Sequence, residues 1–557
     1  MDDQPRLVVG VDFGVTKSVV TYYYPNHRVI KEWCPNAHNS IIPSRVSYDP
    51  HTRRLLGWGH NVSRKDDHLV LLKLQVAGTP SAQPAVDQGM FGNAKVPGAG
   101  RNRIPPLHAI RDFLQALGNE FRNDKNVLRK IGLDRFPPTN WHFAMPDCWT
   151  FDGERMMRDA IAAAGFGTGL DQVFYTSEAK AAAIRVASHL VERRWGQVGD
   201  SVLVCDLGGA TCDYTAFRVA RMPNQLHQVL FHPLNAKSMM KHASHMVETS
   251  LIGHIRTVLH LPCKTGQPAA VSWDGAIEAK HGFSGHEEPV VDLPFTQQYK
   301  NQSRFTPFIQ FNEQTNAFTF SRDSLVKAFD PVVGSITRAI MDHIPSWNVT
   351  KVVLVGGFSN SAYLRKEVER RLADIDAAER PKLDYLEGND AITAVSYGLT
   401  LRGSMVSEHV EYQSEWGYEL AVPIVEMLAT GLSPPRKHVF RAIDSGQKER
   451  YRGEVHFWLA VEAEQRVQSI LIRRFTKTPN RVQVIGEIEP CIPDNARRGV
   501  YRPPGAEEIS WYECLASWTI YGDVRERMEW KLTIRTDNTW MEAGTADHLV
   551  TDMSPWH

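Results

Sequence analysis

Ser201-Val-Leu-Val-Cys-Asp-Leu-Gly-Gly-Ala-Thr-Cys-Asp-Tyr-Thr-Ala-Phe217 is the stretch around which the chain is arranged. Its apolar run, Val202-Leu203-Val204, reads as a buried strand that delivers Asp206 to a Gly208-Gly209 turn. A second β-prone run, Tyr214 to Phe217, follows the turn. Two glycines let backbone N–H groups approach an anion closely, as a polyphosphate requires. A carboxylate at the strand end suits the water shell of Mg²⁺, which takes one or two carboxylates together with phosphate oxygens. Thr211 and Asp213 add a hydroxyl and an acceptor at the same turn. Taken alone, the segment reads equally as a plain hairpin whose Asp and Gly serve only turn geometry.

A second copy near the N-terminus argues against the plain hairpin. Leu7-Val-Val-Gly-Val-Asp-Phe-Gly-Val-Thr-Lys-Ser18 repeats the design: apolar strand, Asp12, Gly14, the Thr16 hydroxyl, then Val19-Val-Thr-Tyr-Tyr-Tyr24. Two such hairpins suggest a duplicated architecture with phosphates clamped between its halves. On these residues the chain resembles the actin-like ATPase superfamily. It is most similar to the seventy-kilodalton heat-shock chaperones, in particular a divergent branch that lacks the usual substrate-binding half.

Composition sets outer bounds. A chain of 557 residues is too long for one core and suggests two or three domains. Lys plus Arg equals Asp plus Glu at 63 each, which favours neither nucleic acid nor a membrane surface as partner. The start, Met-Asp-Asp-Gln-Pro, lacks the basic and apolar regions of a signal peptide, and no apolar run is long enough to cross a bilayer. The seven cysteines (Cys34, Cys148, Cys205, Cys212, Cys263, Cys491 and Cys514) are scattered without paired spacing, so a reducing cytoplasmic setting is expected. Cys34-x₃-His38 is half of a metal-site spacing without a second half.

Further segments extend the pattern. Ile42 to Tyr48 reads as a strand entered through Pro43, and Leu69-Val-Leu-Leu-Lys73-Leu is an apolar run broken by one lysine. Such a lysine either snorkels or serves an anion. Residues 78–106, rich in Pro, Gly, Ala and Asn, read as a surface loop. Ile110, Phe113, Leu114, Leu117 and Phe121 fall at helical spacing, and Trp141 to Pro146 reads as a strand before a helix over roughly 153–164. Val173 to Thr176 is a strand running into Glu178-Ala-Lys-Ala-Ala-Ala-Ile184, where the alanines favour helix and Glu178 suits a helix start. Gln228 to His232 reads as a strand, and an amphipathic helix begins at Asp323. Lys351-Val-Val-Leu-Val-Gly-Gly-Phe-Ser-Asn-Ser then gives a buried strand, a Gly356-Gly357 turn and a helix start, which together admit a flat base or ribose. Asp390 to Gly398 reads as one further helix.

The resemblance covers about residues 5–402 and implies an α/β fold of two ribonuclease-H-like lobes around a nucleotide cleft. It implies ATP with Mg²⁺ as ligand, with Asp12 and Asp206 holding the ion through water. Gly14, Thr16, Gly208, Gly209 and Thr211 would cradle phosphates, and Lys73, Glu178 and Asp213 would orient the attacking water. Lys280 and Ser284, in Ile277-Glu-Ala-Lys-His-Gly-Phe-Ser284, together with Gly356, Gly357, Phe358 and Ser359, would contact the nucleoside. Lys17 stands where the family usually carries an uncharged residue; it either contacts the β- or γ-phosphate or faces solvent. Departures are equally plain. Val15 replaces a threonine, Ala210 a glycine and Ala179 the hinge proline, and Pro233 to Met240 has no glycine where the family closes over the nucleotide.

The expected organisation is an ATPase domain over 1–402, a linker over 403–415 without the family's leucines, and a β-rich domain over 416–557 with no helical lid. The tryptophans of that last part read as core packing or a ligand groove. The function implied is an ATP-binding, chaperone-like protein with slow Mg²⁺-dependent hydrolysis, whose partners are ATP, ADP and protein clients or co-chaperones. The alternatives are a nucleotide-binding scaffold with little hydrolysis and a small-molecule kinase of the same superfold.

Overall fold

A computed structural model describes residues 5–27, 29–35, 39–62, 68–70, 72–75, 94–95, 104–146, 149, 151–209, 211–221, 230–239, 243–258, 273–286, 290–292, 309–312 and 317–404. It further describes 417–424, 427–428, 431–432, 436–443, 452–462, 470–476, 481–488, 490–493, 495–501, 509–521, 527–536 and 540–549. Most of the loop expected over 78–106, residues 405–415 of the expected linker, His38 and Ala210 lie outside the described residues. The chain forms two compact units, one of Met1–Val229 with Leu234–Val410, the other of Leu230–Pro233 with Glu411–His557.

The first unit is mixed α/β, with two large sheets that repeat one plan. In the first sheet, β1 (Leu7–Phe13) and β2 (Lys17–Tyr23) form an antiparallel hairpin. β3 (Thr139–Met145) lies parallel to β1, and β4 (Gln172–Ser177) lies parallel to β3. In the second sheet, β5 (Ser201–Leu207) and β6 (Cys212–Arg221) form the hairpin, β7 (Lys351–Val355) runs parallel to β5, and β8 (Lys382–Tyr385) parallel to β7. The orders β4-β3-β1-β2 and β8-β7-β5-β6 therefore match strand for strand and direction for direction. All seven residues of β5 are buried, as expected of a central strand covered on both faces.

Helices cover the sheets, and their starts follow local rules. α1 (Pro106–Asn123) opens on a proline, whose missing N–H costs nothing at a first turn, and buries Phe113, Leu114, Leu117 and Phe121. α2 (Phe151–Ala163) follows β3. α3 (Glu178–Glu192) is capped by Ser177, whose hydroxyl accepts from the Lys180 N–H at 3.1 Å. α4 (His245–Val258), α5 (Trp273–His281) and α6 (Arg322–Trp347) pack with the second sheet around Leu203, Leu207, Phe283, Phe329 and Ile336. α7 (Ala362–Ala373) is capped by Ser361. The helix expected over 390–398 is instead two, α8 (Gly388–Ile392) and α9 (Ala394–Gly403), separated at Thr393. The strand expected over 42–48 is likewise two, Ile41–Pro43 against β2 and Val46–Tyr48 in a separate sheet. Leu230–Met239 is a strand.

The second unit contains a nine-stranded sheet with antiparallel pairing throughout, from Gly417–Ile424 to Trp540–Leu549. Trp530, Leu532 and Ile534 are fully buried in it, so Trp530 at least is a core residue. Among the described residues of this unit there is no helix. No helix among the described residues of the chain is long and apolar enough to cross a membrane.

Candidate functional site

The repeated hairpins end on the same cleft. Pairing of Asp12 with Val19 and of Asp206 with Asp213 places one carboxylate at the end of each central strand, just before its glycine turn. The Gly208 turn is closed by its N–H donating to the Thr211 carbonyl at 2.9 Å. The two turns meet: a Cβ on Gly209 would stand 2.6 Å from Thr16 Oγ1, so only glycine fits there. β7 brings a third turn alongside, because Val355 pairs with Asp206 and Gly356 follows at once. Gly356 has φ +83°, and Asp206 Oδ1 and the Leu207 backbone occupy the space a side chain would need. Gly357 differs, since nothing lies within 4 Å of its Cβ position.

The cleft encloses about 1140 Å³ of non-atom space, open solvent at its mouth included. It gathers Asp12, Gly14, Thr16, Lys17, Lys73, Glu178, Asp206, Gly208, Gly209, Thr211, Lys280, Gly356, Gly357 and Phe358 from segments far apart in sequence. Three of the expected residues are absent from its lining. Asp213 is buried directly across from Asp206 on β6, Ser359 donates its hydroxyl to the Gly356 carbonyl at 2.8 Å, and the Ser284 carbonyl accepts from Lys366 Nζ at 3.1 Å. Ser359 thus braces the turn it was expected to line.

One end of the cleft is acidic. Asp12, Asp206 and Glu178 share a single ammonium, Lys73, which is buried on the short 3₁₀ turn Leu72–Gln75 and paired with Glu178. The lysine that interrupts the apolar run is therefore neither snorkelling nor solvated. Its Nζ also lies 5.7 Å from the ring centre of Trp149, another lining residue. Burial, reinforced by the Glu178 carboxylate and opposed by Lys73, pushes Asp12 up to about 7. Burial and then the Asp213, Glu178 and Asp12 charges raise Asp206 well above the ordinary carboxylate range. A cation at this end would relieve both, so the donor set fits Mg²⁺ held through its waters. Among the described residues no three His, Cys, Asp or Glu side chains converge closely enough to ligate a metal directly.

The other end carries features that sequence reading missed. Glu248 of α4 is buried and pairs with Lys280 of α5 at 2.5 Å. His281 also lines the cleft, and burial followed by the neighbouring Lys280 and Lys17 charges pushes it down to about 4. His245 opens α4 at the Gly209 turn, its backbone N–H donating to the Gly209 carbonyl at 2.8 Å while its ring Nδ1 lies 2.9 Å from the same oxygen. Helix α4 thus supports the Gly209 turn by its own N-terminus. No family model matches the sequence, and no curated protein matches it.

Proposed function

We propose that the chain binds MgATP in this cleft, between the two lobes of an actin-like fold, and hydrolyses it slowly in a chaperone-like role. One observation carries the reading: two topologically identical hairpins bring their carboxylates and glycine turns together, with a third glycine turn open beside them. In this reading Gly14, Thr16, Gly208, Gly209 and Thr211 cradle the phosphates, while Gly356, Gly357 and Phe358 form the floor of the nucleoside site. Asp12 and Asp206 would hold Mg²⁺ through its water shell, and the ion would offset negative charge that develops on the phosphates. Lys73 and Glu178 orient a water whose oxygen bonds to the γ-phosphorus as the bond to the ADP oxygen breaks, and the water's proton passes to Glu178 or solvent. The catalysis asked of the protein is positioning, which a buried ion pair supplies. Protein clients or co-chaperones are the partners this role calls for, in the cytoplasm.

A second reading, nucleotide binding with little turnover, is favoured by two details. Asp213 is buried and does not line the cleft, and Val15 lines it without a hydroxyl. ATP binding and ADP release, measured with and without Mg²⁺ on wild type and Asp206→Asn, decide between them. The first reading expects Mg²⁺-dependent release that Asp206→Asn abolishes. Binding without release selects the second, and ATP consumption that requires an added metabolite selects a kinase.

A further inference from the structure

The first hairpin, the second hairpin and helix α4 meet at Gly209. The first reaches it through Thr16, whose Oγ1 would lie 2.6 Å from a Cβ on that glycine. Helix α4 reaches it through two donors to one carbonyl oxygen, the His245 backbone N–H at 2.8 Å and the His245 ring Nδ1 at 2.9 Å. A carbonyl oxygen only accepts, so Nδ1 carries a hydrogen. Burial holds the ring below the ordinary histidine pKa, in keeping with a neutral Nδ1–H tautomer.

A glycine backbone rotates at little steric cost, so the direction of the Gly209 carbonyl depends on what holds it. Gly209 lines the cleft and His245 does not. The paired bonds therefore draw the oxygen out of the lining, toward the start of α4. Released from them, it would be free to turn its partial negative charge on an anion in the cleft. The backbone bond survives any substitution at 245, whereas the ring bond makes the carbonyl's direction depend on the side chain.

Resting on the MgATP reading above, we propose that His245 is a positioning residue for the phosphate-binding turn. Its Nδ1–H holds the Gly209 carbonyl turned from the ligand, and it acts through Gly209 without touching the nucleotide.

Calorimetric titration of the full chain with ADP, ATP and adenosine, on wild type, His245→Asn and His245→Gln, tests this. The Asn amide nitrogen, like Nδ1, is attached directly to Cγ, whereas the Gln amide nitrogen lies further out. His245→Asn is expected to stay within about threefold of wild type, and His245→Gln to weaken ADP and ATP about tenfold or more with adenosine unchanged. Both variants should keep the wild-type melting temperature. Equal affinities in the two variants would overturn the inference. So would a loss in His245→Gln that extends to adenosine and comes with a lower melting temperature, the mark of a merely structural role. A proton–nitrogen NMR spectrum of wild type gives a check that needs no variant: the His245 ring should carry its hydrogen on Nδ1, and a hydrogen on Nε2 alone would overturn the inference. Wild type that binds neither ADP nor ATP would overturn the MgATP reading, and this inference with it; a failure confined to the variants overturns this inference alone.

Discussion

His142 sits on β3 with its ring stacked on Phe174 at 4.8 Å, and neither ring nitrogen has a hydrogen-bond partner among the described residues. Burial, with Arg402 adding to it, pushes its pKa down to about 3. The unfolded chain therefore takes up a proton as pH falls below about 6.5 that the folded chain refuses, so stability declines on that side. His142→Leu should remove this part of the acid limb. Its melting temperature should fall less than that of wild type between about pH 7 and about pH 5, and parallel curves would refute the assignment. Glu248 is instead a buried charge held in an ion pair through one of its oxygens. Glu248→Gln leaves the Lys280 ammonium buried beside Lys17 with its carboxylate gone, at a cost of about 3–5 kcal/mol. Urea unfolding measures this directly, and a loss under about 1 kcal/mol, the range of exposed pairs, would mean the pair is solvated.

Among the elements, the crossing of α3 and α9 is set by what is missing from the side chains. A Cβ on Gly398 would drive into the Ala181 backbone, and one on Gly10 of β1 would meet the Ser396 carbonyl and Thr400 Oγ1 of α9. Gly398→Ala should therefore cost about 1–3 kcal/mol. Gly334→Ala, in the middle of α6 with nothing within 4 Å of its Cβ position, should be neutral or stabilise by about 0.5–1 kcal/mol. Equal effects in thermal unfolding would show that the helix crossing is looser than described. The same contrast explains what was legible beforehand. The hairpins, the Ser177 cap and the α1 stripe declare themselves within a few residues, because strand alternation, capping and helical spacing are local. The break at Thr393, the division of 41–48 between two sheets and the 3₁₀ turn that carries Lys73 are imposed by neighbours distant in sequence. Glu248 had no motif to announce it, and it reaches the cleft on α4, whose first residue, His245, bonds to the Gly209 turn. Ser359 lay within a motif-like string, yet its hydroxyl bonds the Gly356 carbonyl, and Ser284 does not line the cleft.

For the molecule as a whole, one four-strand plan is used twice, and the two copies of its hairpin turn meet in a single cleft with a charge gradient along it. Acids with one shared lysine line one part of it, and Lys17 and Lys280 with one glutamate line another. A polyanion carrying a divalent cation matches that gradient better than a neutral ligand does. The measurement closest to this claim is calorimetric titration of the full chain with MgATP, on wild type and on Gly357→Val. The valine side chain has open cleft space to enter and no protein atom within 4 Å of its Cβ to disturb, so the variant blocks the nucleoside floor without touching the fold. Wild type should bind at micromolar affinity or better, about −8 kcal/mol, and Gly357→Val should show no binding while keeping the wild-type melting temperature. Absence of heat or saturation with wild type at millimolar MgATP, or undiminished binding by Gly357→Val, would contradict the account.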